Sequence, residues 1–225
     1  MEQFIETDGQ ILIWIQQTFQ ADWLTPIMKA ITHFGDAGIF WSAVCILLMM
    51  IKKTRKLGIL CAASLALTAL CCNAVIKPAV DRMRPYELFE AVQVLKSLPH
   101  DASFPSGHSS NSMAPAWAMF IATFPVKTAS GKTYDKGLKL GWGEEEVSHK
   151  MMHGFGIAAV ILALLIGFSR LYLGMHFPSD VVCGLLLGML CATIAYAVFR
   201  QYEIKHDEEV RNVFGGYNEN TDRTV

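Results

Sequence analysis

The chain has 225 residues, enough for one ordinary domain or one small membrane bundle. Hydrophobic residues make up 52% and charged residues only 17%, below the roughly 25% usual for soluble domains, so the composition favours a membrane protein. The formal net charge of -1 gives no basic footprint for a nucleic acid, and we expect no nucleic-acid partner.

The 6 cysteines lie inside apolar runs and lack the CxxC or Cys/His spacing of a zinc site, so we expect small buried apolar residues. They are Cys45, Cys61, Cys71, Cys72, Cys183 and Cys191. The first ten residues carry Glu2, Glu6 and Asp8 where a signal peptide would carry basic residues, so we expect no signal peptide.

Residues 11–32 have apolar side chains at helical spacing, interrupted by Gln, Asp and Lys. This pattern predicts an amphipathic helix within residues 1–33 that lies in the membrane interface, with Trp14 and Trp23 at headgroup level. Pro26 would kink or break it. A sixth membrane span in this region is the alternative.

Five apolar stretches approach the length of about 20 residues that a transmembrane helix requires. They are Gly38–Ile51, Leu57–Ile76, Asn111–Val126, Gly154–Ser169 and Val181–Phe199. The sequence therefore predicts an all-α membrane bundle of five or six transmembrane helices over residues 34–200. Residues 201–225 would form a polar cytoplasmic tail, mobile after Glu203.

The orientation follows from the link between the first two spans, which carries four basic residues and no acid: Lys52, Lys53, Arg55 and Lys56. Basic links stay in the cytoplasm. Counting spans onward then places residues 77–87, 103–110 and 169–180 together on the extracytoplasmic side of a plasma membrane.

These three segments contain the residue types that phosphoryl transfer needs. Arginines hold phosphate oxygens bidentately and a lysine adds a compact charge. The start of a helix at residues 106–108 offers free backbone N–H groups to an anion. A histidine four residues before a carboxylate can be held in one tautomer as a nucleophile, and a second histidine can protonate the leaving group.

The three segments resemble the tripartite signature of the PAP2 (type-2 phosphatidic acid phosphatase) superfamily. Lys77 and Arg84-Pro85 match its first part, K-x6-R-P, and residues 105–108 read Pro-Ser-Gly-His, its second. Ser169-Arg170, His176 and Asp180 fill the third, S-R-x5-H-x3-D. The resemblance implies a PAP2/haloperoxidase-like helical core and a lipid phosphatase that needs no metal or other cofactor.

The resemblance also implies a role for each matched residue. His176 would be the nucleophile, Asp180 would orient its imidazole, and His108 would be the general acid and then the base. The phosphate-binding residues would be Lys77, Arg84, Ser106, Gly107 and Arg170. Arg82, outside the signature, is either a substrate contact or an interface cation, and Asp36 is either functional or a helix cap.

The substrate expected from this resemblance is a membrane lipid phosphate. We place undecaprenyl diphosphate first, because a site on the extracytoplasmic face and a compact chain resemble the small bacterial members. Phosphatidylglycerophosphate and phosphatidic acid are the alternatives, and residues 86–103 are the expected specificity region. A non-catalytic scaffold or transporter is the remote alternative, which the undamaged signature and the lack of an internal repeat disfavour.

Overall fold

The fold is known from a computed structural model, which describes residues 2–96, 101–124, 126–127, 133–134 and 148–218. Its helices are α1 (Glu2–Phe19), α2 (Thr25–His33), α3 (Ile39–Met50), α4 (Arg55–Ala69), α5 (Lys77–Val80), α6 (Pro85–Leu88), α7 (Gly107–Ile121), α8 (His149–Tyr172) and α9 (Pro178–Asn218). A π-helical stretch, Leu70–Ile76, joins α4 to α5, and 3₁₀ turns cover Asp36–Gly38 and Lys52–Thr54. Two-residue strands β1 (Val126–Lys127) and β2 (Thr133–Tyr134) pair antiparallel, with Val126 opposite Tyr134. The predicted helical architecture is confirmed.

Four stretches of the described chain are long and apolar enough to cross a bilayer: Thr25–Met50, Lys52–Leu88, Lys150–Tyr172 and Pro178–Glu203. Their outward faces are apolar rather than charged. Large hydrophobic side chains that are more than half exposed include Ile39, Met50, Leu70, Leu186 and Val198. Such a surface suits lipid and not water, and the chain is a multi-pass membrane protein.

Among the predicted spans, Asn111–Val126 differs most from the helix found in the structure. The helix there is α7, which begins at Gly107 and ends at Ile121, with Pro115 inside it. Its 15 residues extend over about 22 Å, less than the thickness of the hydrocarbon core. Apolar residues continue past Ile121, where the helix ends. For this reason the hydropathy pattern predicted an end of this span that is too late.

Helix α7 forms the centre of the bundle and packs against α4, α8 and α9. Close approach to α9 depends on two glycines. A Cβ at Gly184 would lie 2.7 Å from the carbonyl oxygen of Ser106, and one at Gly188 would lie 2.5 Å from that of Ser110. These contacts fix the N-terminus of α7, which carries part of the site, against the start of α9.

The N-terminal region forms two helices, where the sequence predicted one amphipathic helix over residues 11–32. The break expected at Pro26 falls earlier, at residues 20–24, and Pro26 lies in the first turn of α2, where its missing N–H is tolerated. The Tyr172 hydroxyl holds this turn through the carbonyl oxygen of Ala21, at 3.0 Å. Helix α2 forms the first part of the candidate span Thr25–Met50. The interfacial position of the N-terminal helix stays a prediction.

Helix α9 continues to Asn218, beyond the end predicted at Phe199, so the expected polar tail is helical at its start. Residues 219–225 of that tail lie outside the described residues. Lys56, in the first turn of α4, and Glu203 form an ion pair of 2.6 Å, which joins the start of α4 to α9. The basic link therefore lies at one end of the bundle, and the polar segments predicted to carry chemistry lie at the other.

Candidate active site

A cavity of about 430 Å³ opens at the end of the bundle opposite the basic link. All three signature segments contribute to its wall, together with the turn between α2 and α3. The signature residues that line it are Lys77, Arg84, Gly107, His108, Arg170 and His176. The predicted convergence of these segments on one side of the bundle is therefore confirmed.

His176 lies in the connection between α8 and α9, and its side chain is only 2% exposed. Its Nδ1 is 3.6 Å from Oδ2 of Asp180 and 3.5 Å from Oγ of Ser103. Ser103 also donates a hydrogen bond of 2.5 Å to the same carboxylate oxygen. With Nδ1 directed at this pair, Nε2 is the ring nitrogen available to the cavity, as a nucleophile requires.

The backbone before His176 is held in place by a tight turn. Gly174 has φ 72°, and a Cβ there would lie 2.4 Å from the carbonyl oxygen of Gln93, so only glycine fits. Arg84 Nη1 donates to the carbonyl oxygen of Met175 at 2.8 Å. A signature arginine therefore also positions the residue that precedes the predicted nucleophile.

The environment of His176 favours its neutral form. Burial lowers the pKa of His176 to about 4, and the positive charges of Arg170 and Arg84 act in the same direction, while Asp180 opposes them. A neutral imidazole has the free lone pair that attack on phosphorus needs. A neutral His176 near pH 7 meets this requirement of the predicted nucleophile.

Arg82 lies behind His176 and does not line this cavity. Its Nη1 donates to Oδ1 of Asp180 at 2.6 Å, and its Nη2 donates to Oδ2 of Asp8 at 2.8 Å. The guanidinium carbon also lies 4.0 Å from the ring centroid of Phe177. Arg82 is therefore a positioning residue that fixes the carboxylate of Asp180.

Asp8 completes this chain of contacts from the N-terminal helix. Its side chain is buried, and it accepts hydrogen bonds from the backbone N–H (3.1 Å) and the hydroxyl of Ser179 as well as from Arg82. We name the set Asp8, Arg82, Ser103 and Asp180 the carboxylate network. Sequence reasoning missed Asp8 and Ser103. The only signal for Asp8 was a carboxylate close to apolar positions of a helix.

The predicted phosphate-binding cations line the cavity, and two of them share one carboxylate. Lys77 Nζ pairs with Oδ2 of Asp101, and Arg84 Nη2 pairs with Oδ1 at 2.7 Å. Arg170 instead donates to Oγ1 of Thr32 at 2.9 Å, and its buried Nε has no hydrogen-bond partner among the described residues. A buried donor left unpaired is costly, and a phosphate oxygen would satisfy it.

Ser106 and Gly107 form the N-terminus of α7. The Ser106 hydroxyl accepts from the hydroxyl of Ser109 at 2.9 Å and caps the helix, and the side chain is fully buried. Gly107 lines the cavity whereas Ser106 does not. Gly107 is therefore better placed than Ser106 to offer a backbone N–H to an anion, and the predicted phosphate contact of the Ser106 side chain stays a prediction.

His108 faces the cavity from the first turn of α7, and Asp36 is its partner. His108 Nε2 is 2.8 Å from Oδ1 of Asp36, a carboxylate that also pairs with Lys96 Nζ (2.8 Å) and with His33 Nδ1 (2.6 Å). Gly35 allows this approach, because a Cβ there would lie 2.7 Å from the His108 ring. The functional alternative for Asp36 is the one that these contacts support.

Comparison with known proteins agrees with this geometry. A family model described as the PAP2 superfamily matches residues 56–203. The chain is 28% identical to an undecaprenyl-diphosphatase of Sulfolobus acidocaldarius, over 83% of this chain and 76% of that protein. It is 32% identical to phosphatidylglycerophosphatase B of Bacillus subtilis, over 75% and 71%.

Solved structures share the fold. A crystal structure of a transmembrane PAP2-type phosphatidylglycerolphosphate phosphatase from Bacillus subtilis superposes with a TM-score of 0.66 and 25% identity, covering 89% of this chain and 88% of that one. Aquifex aeolicus LpxE superposes with a TM-score of 0.58 and 25% identity, covering 84% and 93%. Two of the relatives are named as a diphosphatase and a phosphatase, which supports a phosphoric ester hydrolase and argues against a non-catalytic scaffold or transporter.

Proposed function

The chain belongs to the PAP2 superfamily and is a membrane lipid phosphatase, and from this premise we propose that it hydrolyses a lipid diphosphate through a phosphohistidine on His176. The observation that carries the proposal is the single cavity whose wall contains His176, His108 and the three predicted phosphate-binding cations. Together these residues come from all three signature segments. That arrangement supplies a nucleophile, a proton donor and charge stabilisation within one space.

The proposed reaction has two steps. In the first, Nε2 of His176 attacks the terminal phosphorus, the bond from phosphorus to the leaving oxygen breaks, and protonated His108 gives its proton to that oxygen. In the second, water loses a proton to His108 and attacks phosphorus, the P–N bond breaks, and phosphate leaves with His176 neutral again. Neither step requires a metal.

Positive charge would stabilise both transition states. Negative charge on the equatorial oxygens of the transferring phosphoryl group would meet Lys77, Arg84 and Arg170, along with the backbone N–H of Gly107. The carboxylate network would keep the His176 ring in one orientation during attack, because hydrogen bonds fix the carboxylate of Asp180. Its Oδ2 accepts from the Ser103 hydroxyl and the Phe177 backbone N–H, and its Oδ1 accepts from Arg82. This holds the nucleophile in place before substrate arrives.

An apolar cavity beside the site supports a lipid substrate. It has about 320 Å³, lies between α3 and α4, and shares Ala37, Ala69 and Asn111 with the wall of the main cavity. A hydrocarbon chain could lie there while its phosphate group lies against the cations. We place undecaprenyl diphosphate first, supported by the names of relatives from Sulfolobus acidocaldarius and Bacillus subtilis.

Phosphatidylglycerophosphate is the second candidate, favoured by the 32% identity to phosphatidylglycerophosphatase B. We also propose that the site faces the extracytoplasmic side of the plasma membrane. The support is that the basic link with Lys52, Lys53 and Lys56 lies at the opposite end of the bundle, where cytoplasmic cations are expected.

The test is phosphate release by the purified, detergent-solubilised protein in EDTA. The panel would contain undecaprenyl diphosphate, phosphatidylglycerophosphate, phosphatidic acid and a soluble aryl phosphate, each with wild type and His176→Ala. We expect the highest kcat/KM on undecaprenyl diphosphate and loss of turnover in the variant. A faster reaction on phosphatidylglycerophosphate would replace the substrate assignment, and EDTA-sensitive or His176-independent turnover would overturn the mechanism.

A further inference from the structure

Asp101 lies in the cavity at the place where a phosphate group is expected. Its two carboxylate oxygens contact two different cations, Oδ2 facing Lys77 Nζ and Oδ1 lying 2.7 Å from Arg84 Nη2. Arg84 Nε also donates to the backbone carbonyl of Asp101 at 2.9 Å. A planar anion held between a lysine and an arginine makes the contacts that two oxygens of a phosphate would make.

The burial of the partners is unequal. The Lys77 and Arg84 side chains are 10% and 4% exposed, whereas the side chain of Asp101 is 54% exposed. The cations are therefore fixed in the wall of the cavity, and the carboxylate is the member of the group that can move towards water. An ion pair with a half-exposed carboxylate contributes little free energy, so a second anion can replace that carboxylate at modest cost.

The carboxylate is ionised at any pH at which the protein would work. Burial alone would raise the pKa of Asp101, but Lys77 and Arg84 outweigh it and lower the pKa to about 2. An incoming phosphate thus meets a negative charge already between two of its three cations. Either the carboxylate leaves, or the phosphate binds against its repulsion.

We propose that Asp101 is an internal competitor for the phosphate-binding cations: its carboxylate occupies their anion position in the empty protein and is displaced by the phosphate group of the substrate. This inference rests on the proposed function, because it assigns a specificity role within the same site. Asp101 then selects lipid-linked phosphate over free phosphate. A lipid substrate adds the binding energy of its chain, whereas an inorganic oxyanion has only its charge with which to displace the carboxylate.

The experiment measures the binding of orthovanadate and of inorganic phosphate to the full-length, detergent-solubilised protein by calorimetry, without turnover. Asp101→Asn keeps the size of the side chain and removes its charge, so we expect both anions to bind at least about tenfold more tightly than to wild type, which corresponds to about 1.4 kcal/mol. Asp101→Glu keeps the charge and should stay within about threefold of wild type.

Glu90→Gln is the matched control, because it removes an exposed carboxylate from the same interhelical segment without touching the cations. It should leave both affinities unchanged. Unchanged or weaker oxyanion binding in Asp101→Asn would overturn the proposal, since it would mean that Asp101 organises the cations and does not compete for them. The Lys77→Met variant distinguishes this result from a failure of the proposed function. If Lys77→Met bound vanadate as tightly as wild type does, the phosphate-binding site would not lie at these cations.

A measurement on wild type covers the case in which Asp101→Asn does not fold. Displacement should leave the carboxylate unpaired and more easily protonated, so saturating vanadate should increase carbodiimide-dependent coupling of an amine to Asp101, read by peptide mass spectrometry. Coupling at Glu90 should not change. Protection of Asp101 by vanadate, or no change in its coupling, would contradict displacement.

Discussion

The two sides of the cavity are built differently. On the nucleophile side, the carboxylate of Asp180 is fully buried and both its oxygens accept short hydrogen bonds. On the anion side, the carboxylates of Asp101 and Asp36 are 54% and 36% exposed and are shared among cations that face the cavity. The first arrangement suits a group that must keep one orientation, and the second suits ligands that must enter and leave.

This difference shows why residues of one type have different roles. Among the described residues, Asp8 and Asp180 are buried within the carboxylate network, whereas Asp36 and Asp101 are partly exposed. Loss of a partner on the buried side leaves an uncompensated charge, which is more costly than the same loss near water. Substitutions on the two sides should therefore differ in size and in the kinetic constant that they change.

The largest effect is expected for the two histidines. His176→Gln removes the proposed nucleophile and should lower kcat by about 10⁴-fold or more. His108→Gln removes the proposed general acid and should lower kcat by about 10²- to 10⁴-fold, because general acid catalysis contributes less. Steady-state phosphate release measures both. His153→Gln, at the opposite end of the bundle beside Thr123, is the control and should retain activity. Equal losses for His176→Gln and His153→Gln would point to unfolding.

Arg84→Lys tests the anion side. The change keeps the positive charge but loses the forked contacts to Asp101 and to the Met175 carbonyl, so kcat/KM should fall by about 10²-fold. Arg55→Lys is the matched control, because its guanidinium bonds the Met49 carbonyl at the far end of the bundle. Full activity in Arg84→Lys would show that charge alone suffices at this position.

Arg82→Gln and Asp8→Asn test the carboxylate network that supports Asp180. Each weakens the support of Asp180, so kcat should fall by about 10- to 100-fold while KM stays within about twofold, because neither residue lines the main cavity. Lys29→Gln removes an exposed cation as a control. A rise in KM with unchanged kcat would return Arg82 to the role of a substrate contact.

Asp36→Asn should have a smaller and more selective effect. Burial lowers the pKa of His108 to about 3, and Asp36 opposes this shift. Loss of Asp36 should therefore matter most when the leaving group needs a proton. We expect about a tenfold loss of kcat on an alkyl phosphate and less than about threefold on an aryl phosphate. Asp22→Asn, on an exposed turn, should change neither. Equal losses on the two substrates would argue for a structural role.

The smallest expected effect is on stability against pH. The pKa of His176 is about 4 in the folded protein against 6.5 ordinarily, so the unfolded chain binds more protons between these values. Its contribution to the free energy of unfolding is complete above pH 6.5 and is lost as the pH falls towards 4. The melting temperature in detergent should therefore fall less over this window in His176→Gln than in wild type. Parallel curves would show that His176 is not buried in its neutral form.

The signature led to residues that the structure places at one site, but not to the residues that support them. Fixed spacing selected His176, Asp180 and Arg84, because each contributes to a local pattern; their catalytic and binding roles stay predictions. Asp8 and Asp101 could not be found in this way. Asp8 meets Arg82 across 74 residues, and Asp101 meets Lys77 across 24, so only the folded chain brings each pair together.

The fold shows the same limit. Hydropathy located most of the long helices, since a span must be apolar over its length. Hydropathy could not predict the end of α7 or the continuation of α9 to Asn218, because those boundaries depend on packing and hydrogen bonding and not on apolarity. The turn between α1 and α2 also depends on a distant residue, Tyr172.

The most direct test of the central claim is to trap the intermediate. Wild type mixed briefly with substrate labelled with ³²P in its terminal phosphate, then quenched in alkali, should carry label that is stable to base and labile to acid, located on His176 by peptide mass spectrometry. Asp180→Asn should carry less label and His176→Gln none. Label on another residue would contradict a covalent phosphohistidine. So would turnover with no trapped label and with net inversion of configuration at a phosphorus made chiral by oxygen isotopes.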